Sequence, residues 1–166
     1  QMEEIVAASG GSVSKFNIMG HSQGGVTARY VLAARPDLVA SVTTMATPHT
    51  GSPIADVVTD IAPPSSIQGV LFEVFANAVG DLVNLMSDNK KDKSDIYAML
   101  GEFNAAGAAQ FNADYPVGMP TTTCGAGSEQ VNVDGHTIKL YSLGGTGHLT
   151  GGVDISDPLF AITGLI

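Results

Sequence analysis

Residues Gly20-His21-Ser22-Gln23-Gly24 set a serine between two glycines, each one residue removed from it. Upstream, Val13 to Met19 alternates and is partly β-branched, which predicts a strand. Downstream, Val26 to Ala34 predicts a helix, ended by Arg35-Pro36-Asp37. At such a junction the serine projects from a tight, strained turn, and glycines two before and two after it leave room for strand and helix to pass close together. Val39 to Met45 predicts a second strand, running into Thr47-Pro48-His49-Thr50-Gly51. Strand, helix and strand within about 35 residues form a βαβ unit, so a parallel sheet with helices on its faces is expected.

Placed there, Ser22 is a candidate nucleophile. It stands at the start of a helix, where the helix dipole and the Gln23 N–H can stabilise an oxyanion. A serine needs a base, and the base an orienting acid. On a strand–turn–helix nucleophile the chain order is serine, acid, histidine. The histidines are His21, His49, His136 and His148. His21 lies inside the turn, and His49 precedes any plausible acid loop. The pairs Asp114 with His136 and Asp134 with His148 remain. Neither acid follows a convincing strand, and both histidines fall in loops where a solvated surface histidine is the ordinary expectation. The acid and base are therefore expected beyond Ile166.

At 166 residues one domain is the natural expectation. With 44% hydrophobic and 14% charged residues the chain is globular rather than disordered. The net charge of −9, with no basic cluster beyond Lys90-Lys91-Asp92-Lys93, argues against nucleic-acid binding. No apolar run reaches a membrane-spanning length, and no charged-then-apolar leader is seen. The start at Gln1 and the apolar end Thr163-Gly164-Leu165-Ile166 read as the edges of an internal piece.

After Pro63-Pro64, residues 67–86 are helical in period, with Leu71, Val74, Phe75, Ala78, Val79, Leu82 and Met86 on one stripe. Phe72, Val83 and Leu85 widen that stripe past an ordinary core face. The segment from Ser87 to Ser94 is polar and reads as a loop. Tyr97 to Phe111 predicts one helix, residues 115–137 predict mostly loop, and Thr137 to Leu143 predicts a strand. A short helix is expected after Pro158. There are no internal repeats.

These segments together resemble the Pseudomonas-type true lipases, secreted bacterial enzymes that need a dedicated foldase. The resemblance rests on Asn17-Ile18-Met19-Gly20-His21-Ser22-Gln23-Gly24-Gly25, Arg29-Tyr30-Val31, Arg35-Pro36-Asp37-Leu38 and Thr47-Pro48-His49-Thr50-Gly51-Ser52. It continues through Phe111-Asn112-Ala113-Asp114-Tyr115-Pro116, Tyr141-Ser142, Leu149-Thr150 and Val153-Asp154-Ile155-Ser156-Asp157. Thr50 departs from a position often basic in that family.

The resemblance implies an α/β-hydrolase fold, incomplete here, as one partial domain over 1–166 with a helical lid region at 56–96. It implies triacylglycerol hydrolysis through a serine acyl-enzyme, with Ser22 as nucleophile and the Gln23 backbone N–H as half of the oxyanion hole. Cys124 matches one half of a disulfide. Asp154 matches a ligand of a structural calcium ion, with Asp157 as the neighbouring alternative. The implied partners are a lipid ester at an oil–water interface and a foldase chaperone, and the implied location is extracellular. The family's other oxyanion donor, catalytic Asp and His, second Cys and remaining calcium ligands would lie before Gln1 or after Ile166. A soluble carboxylesterase and an inactive remnant or binding module are the alternatives; the breadth of the 67–86 stripe favours the lipase.

Overall fold

Among the described residues the serine turn is held by a four-stranded sheet of β1 (Phe16–His21), β2 (Val39–Met45), β3 (Gln130–Val133) and β4 (His136–Leu143), in the order β1-β2-β4-β3. In the computed structural model the described residues are 1–61, 63, 66, 67, 69, 70, 95–122 and 125–145. They divide into two compact units, residues 1–49 with the described residues from 112 onward, and the described residues between 50 and 111.

In the first unit, β1 (Phe16–His21), β2 (Val39–Met45) and β4 (His136–Leu143) run parallel, and β3 (Gln130–Val133) pairs antiparallel with β4. β1 passes through the serine turn into α2 (Gln23–Ala34), and one 3-10 turn, Pro36–Leu38, leads into β2. This is the expected βαβ unit. Gly25, Ala28, Arg29 and Leu32 are the buried residues of α2, the i, i+3, i+4, i+7 spacing of a core-facing stripe. Ala28 and Leu32 pack with Val39, Val42 and Ile138, and Ile18 and Leu140 close against this cluster. Leu32 and Ile138 are fully buried, each stabilising the fold by about 1.5–3 kcal/mol relative to an exposed side chain. The next row of the register sets Met19, Thr43 and Tyr141 side by side. Successive side chains alternate across a strand, so these point to the other face; Met19 and Tyr141 are exposed there.

β2 falls on the predicted residues, whereas β1 starts three residues later than expected. The chain first turns at Gly10 and Gly11, both at positive φ. The Val13 N–H is then taken by the Ser9 hydroxyl at 3.1 Å, which withholds it from a ladder. α1 (Met2–Ala8) precedes this turn. β3 lies in the stretch expected to be loop and makes the sheet mixed rather than wholly parallel. Asp134 and Gly135 turn β3 into β4 with φ of 49° and 81°, the left-handed pair of a tight hairpin. The Asn132 side-chain oxygen accepts the Gly135 N–H at 3.1 Å.

In the second unit, α3 (Pro53–Ile61) has proline at its first position, where a missing N–H costs nothing. α4 (Ile96–Phe103) is capped by Asp95, whose carboxylate accepts the Ala98 N–H at 2.9 Å. α5 spans Ala105–Asp114, and its residues from Asn112 onward belong to the first unit. The single helix expected over 97–111 is thus two. Asn104 breaks it with an extended backbone and caps the second helix, its side-chain oxygen accepting the Gly107 N–H at 2.7 Å. Of the lid helix expected at 67–86, only residues 67, 69 and 70 are described, as helix; its apolar stripe lies outside the described residues.

Candidate active site

Ser22 has φ 52° and ψ −123°. A non-glycine residue there carries strain of about 1–3 kcal/mol, which the surroundings must hold. The Ser22 N–H donates to the Met45 carbonyl at 2.9 Å, and the Ser22 carbonyl accepts the Gly25 N–H at 3.0 Å. Ala46, at φ 45°, follows directly, and its N–H donates to the Leu143 carbonyl at 2.8 Å. The carboxyl ends of β1, β2 and β4 are therefore stitched together where the serine emerges. In open α/β sheets that edge is where ligands bind.

Ser22 precedes the first residue of α2, but its side chain makes no capping bond to the helix, and the residue is exposed. A serine in this position ordinarily spends its hydroxyl on an N–H of the first turn. Here the hydroxyl is not spent on the helix. Gln23 begins α2, so its N–H lies in the turn that points the positive end of the helix dipole toward the serine. Ser22 and Gln23 thus stand at the start of α2, where a helix N-terminus can bind a developing oxyanion.

The glycines act differently from the symmetric expectation. A Cβ on Gly20 would strike the backbone of Gly24 and Gly25, and one on Gly25 would strike the Thr47 side chain. A Cβ on Gly24 would meet nothing within 4 Å among the described residues. Close passage of strand and helix is therefore secured at Gly20 and Gly25.

Below the turn lies a polar group of residues to which sequence reasoning gave no role. Arg29 is only 4% exposed. Its Nη1 donates to the Asn112 side-chain oxygen at 2.8 Å, its Nη2 to the Tyr115 carbonyl at 2.7 Å and its Nε to the Val117 carbonyl at 3.4 Å. Burial lowers the pKa of this guanidinium. The Asn112 amide nitrogen donates to the His49 carbonyl at 2.8 Å. His49 Nε2 lies 3.0 Å from the buried Thr44 hydroxyl, and its Nδ1 is buried with no partner among the described residues. Burial, and then the charge of Arg29, hold the His49 pKa below the usual imidazole range. The available signal was an arginine on an otherwise apolar helical stripe.

Among the described residues, His136 and Asp134 are not gathered at Ser22. His136 begins β4, at the amino edge of the parallel strands, while Leu143 shares a row with Met45 and His21. The seven steps along the eight residues of β4 span about 23 Å at about 3.3 Å per residue. Asp134, in the turn before His136, is likewise at the far edge. His136 instead helps lower the pKa of Asp37, which is set mainly by a hydrogen bond from Arg35. Among the described residues no hydrogen bond joins a histidine to the Ser22 hydroxyl. His148, Cys124, Asp154 and Asp157 lie outside the described residues. Among the described residues no group of three or more His, Cys, Asp or Glu is placed to hold a metal, and no helix is long and apolar enough to cross a membrane.

Comparison with known proteins matches residues 3–132 to the alpha/beta hydrolase fold family. The whole chain is 37% identical to a protein of Vibrio cholerae serotype O1 named triacylglycerol lipase, covering 51% of it. Over 87% of the chain, proteins of the same name from Pseudarthrobacter phenanthrenivorans and Burkholderia plantarii are 39% identical, with 45% and 40% of their lengths covered. The chain thus spans about half the length of the curated relatives it matches.

Proposed function

The chain belongs to the α/β-hydrolase family, and on that premise we propose that its protein is a triacylglycerol lipase with Ser22 as nucleophile. One observation carries this reading: Ser22 is held at positive φ at the carboxyl edge of the sheet, with its hydroxyl exposed at the start of α2. Relatives named triacylglycerol lipase over most of the chain supply the substrate class.

In this mechanism a general base takes the Ser22 proton as Oγ bonds to the ester carbonyl carbon. The carbonyl oxygen becomes an oxyanion, which the Gln23 N–H and the dipole of α2 stabilise. Collapse breaks the C–O bond to the alcohol, which leaves with the proton and gives the acyl-enzyme. Water then attacks the acyl carbon, fatty acid departs, and Ser22 regains its proton. We assign the base and its orienting acid to residues outside 1–166. That assignment rests on the partial coverage of the relatives and on the distance of His136 from the turn.

Four further features belong to the proposal. The broad stripe at 67–86 serves as a lid that opens at an oil surface. Cys124 takes part in a disulfide of an exported protein. Asp154, or its neighbour Asp157, ligates a structural calcium ion, for which a carboxylate in a Gly-rich loop is a suitable hard ligand. A foldase chaperone assists folding.

The nucleophile is tested by labelling the native protein with a fluorophosphonate. Labelling at Ser22, lost together with p-nitrophenyl ester hydrolysis in Ser22→Ala, is the expected result; full activity in that variant would refute it. The lid reading distinguishes a lipase from a soluble carboxylesterase. Phe75→Asp should lower activity on emulsified long-chain esters more than on soluble short-chain ones, and equal losses would mark residues 67–86 as a core helix.

A further inference from the structure

We infer that Asn112 is a positioning residue for the Ser22 turn, with Arg29 as its anchor, an inference that rests on the reading of Ser22 as nucleophile. The strained serine needs a rigid partner, and that partner is the segment 45–49 leaving β2. The Met45 carbonyl accepts the Ser22 N–H at 2.9 Å, and the Thr47 side chain fills the space opened by Gly25. The segment is tied within itself: the Thr47 hydroxyl donates to the Met45 carbonyl at 3.3 Å, and the His49 N–H donates to the Thr47 carbonyl at 2.9 Å. Its far end is fixed by Asn112, whose amide nitrogen donates to the His49 carbonyl at 2.8 Å.

Asn112 cannot turn over in this setting. A guanidinium only donates and a carbonyl only accepts, so the Asn112 oxygen must face Arg29 and its nitrogen must face His49. Arg29 is in turn fixed on α2, two helical turns beyond Ser22, and bonds the Tyr115 carbonyl at 2.7 Å as well as Asn112. A closed loop results: Ser22, α2, Arg29, Asn112, His49, Thr47, Met45 and back to Ser22. Every link is a hydrogen bond, a side-chain contact or helix backbone. Loosening one link lets the segment 45–49 drift, and displacements of about 1 Å in a catalytic constellation can lower rates about 100-fold.

Asn112→Asp separates positioning from folding. The carboxylate keeps and strengthens the bond from Arg29 but has no N–H for the His49 carbonyl. In the native protein we expect this variant to keep a melting temperature within a few degrees of wild type. Its rate of fluorophosphonate labelling at Ser22 and its kcat on a p-nitrophenyl ester should fall about tenfold or more, with KM within twofold. Asn112→Leu, which loses both bonds, should lose melting temperature and at least as much kcat. Labelling and kcat at wild-type rates in Asn112→Asp, or losses that only follow the unfolded fraction, would overturn the inference. A wild-type protein that is not labelled at Ser22 would instead remove the nucleophile reading on which it rests. Should Asn112→Asp not fold, the smaller, uncharged Asn112→Ser, too short to bridge Arg29 and the His49 carbonyl, is compared instead, and a kcat per folded molecule equal to wild type would overturn the inference.

Discussion

At the scale of single residues, the serine turn rests on unequal glycines. Gly20 and Gly25 leave no room for a Cβ, while Gly24 opens on free space among the described residues. Gly24→Ala should therefore be neutral or stabilise the protein by up to about 1 kcal/mol, since alanine is the better helix former. Gly20→Ala should destabilise it by about 1–3 kcal/mol or more through backbone overlap. Thermal unfolding of the two variants checks the difference, and equal effects would contradict it. The pattern of two glycines was legible in the sequence, but which neighbour needed the second space was not. That depends on Thr47, which folding alone brings against α2.

His49 carries a second expectation at this scale. Its folded pKa is held below the unfolded value, about 6.5 for an ordinary histidine, by burial and by Arg29. The unfolded chain then binds the proton first. The contribution to stability is complete above pH about 6.5 and is lost as pH falls from there toward the folded pKa. Denaturant titrations of wild type and His49→Gln between pH 7.5 and 5, a range of about one unit above to 1.5 below the ordinary pKa, should show a shallower loss in the variant. Parallel curves would mean that His49 titrates normally.

At the scale of elements, β2 and the βαβ order were legible because both follow from local patterning, alternation in the strand and breakers around the helix. α4 and α5 were not separable, since Tyr97 to Phe111 has no proline and its two glycines sit inside the helices. What divides them is Asn104, which turns its side chain back onto the Gly107 N–H. Losing such a cap costs about 0.5–2 kcal/mol, so Asn104→Ala should lower stability by that amount, read from chemical denaturation. An unchanged midpoint would show that the cap contributes nothing. β3 escaped notice although Asp134-Gly135 between alternating residues is a strong hairpin signal; the Thr- and Gly-rich residues before it masked a strand of only four residues.

At the scale of the whole molecule, the sequence pointed to the α/β-hydrolase family through several motifs in the right order, and the family match over residues 3–132 agrees. Parallel topology followed from the one βαβ unit, but the place of β4 beside β2 did not, because a pairing as distant in the chain as Ser41 with Lys139 leaves no local mark. The distance that removes His136 from the chemistry depends on that same pairing. The polar loop through Arg29, Asn112 and His49 was hidden for a related reason: its members are 83 and 63 residues apart in the chain. In the proposed mechanism the Ser22 hydroxyl on this strained turn performs the chemistry. The most direct test of that role is peptide mapping of the native protein after reaction with a fluorophosphonate. One adduct is expected, on Ser22, with ester hydrolysis lost in proportion to labelling; hydrolysis that persists after stoichiometric labelling, or an adduct on another residue, would refute Ser22 as the nucleophile.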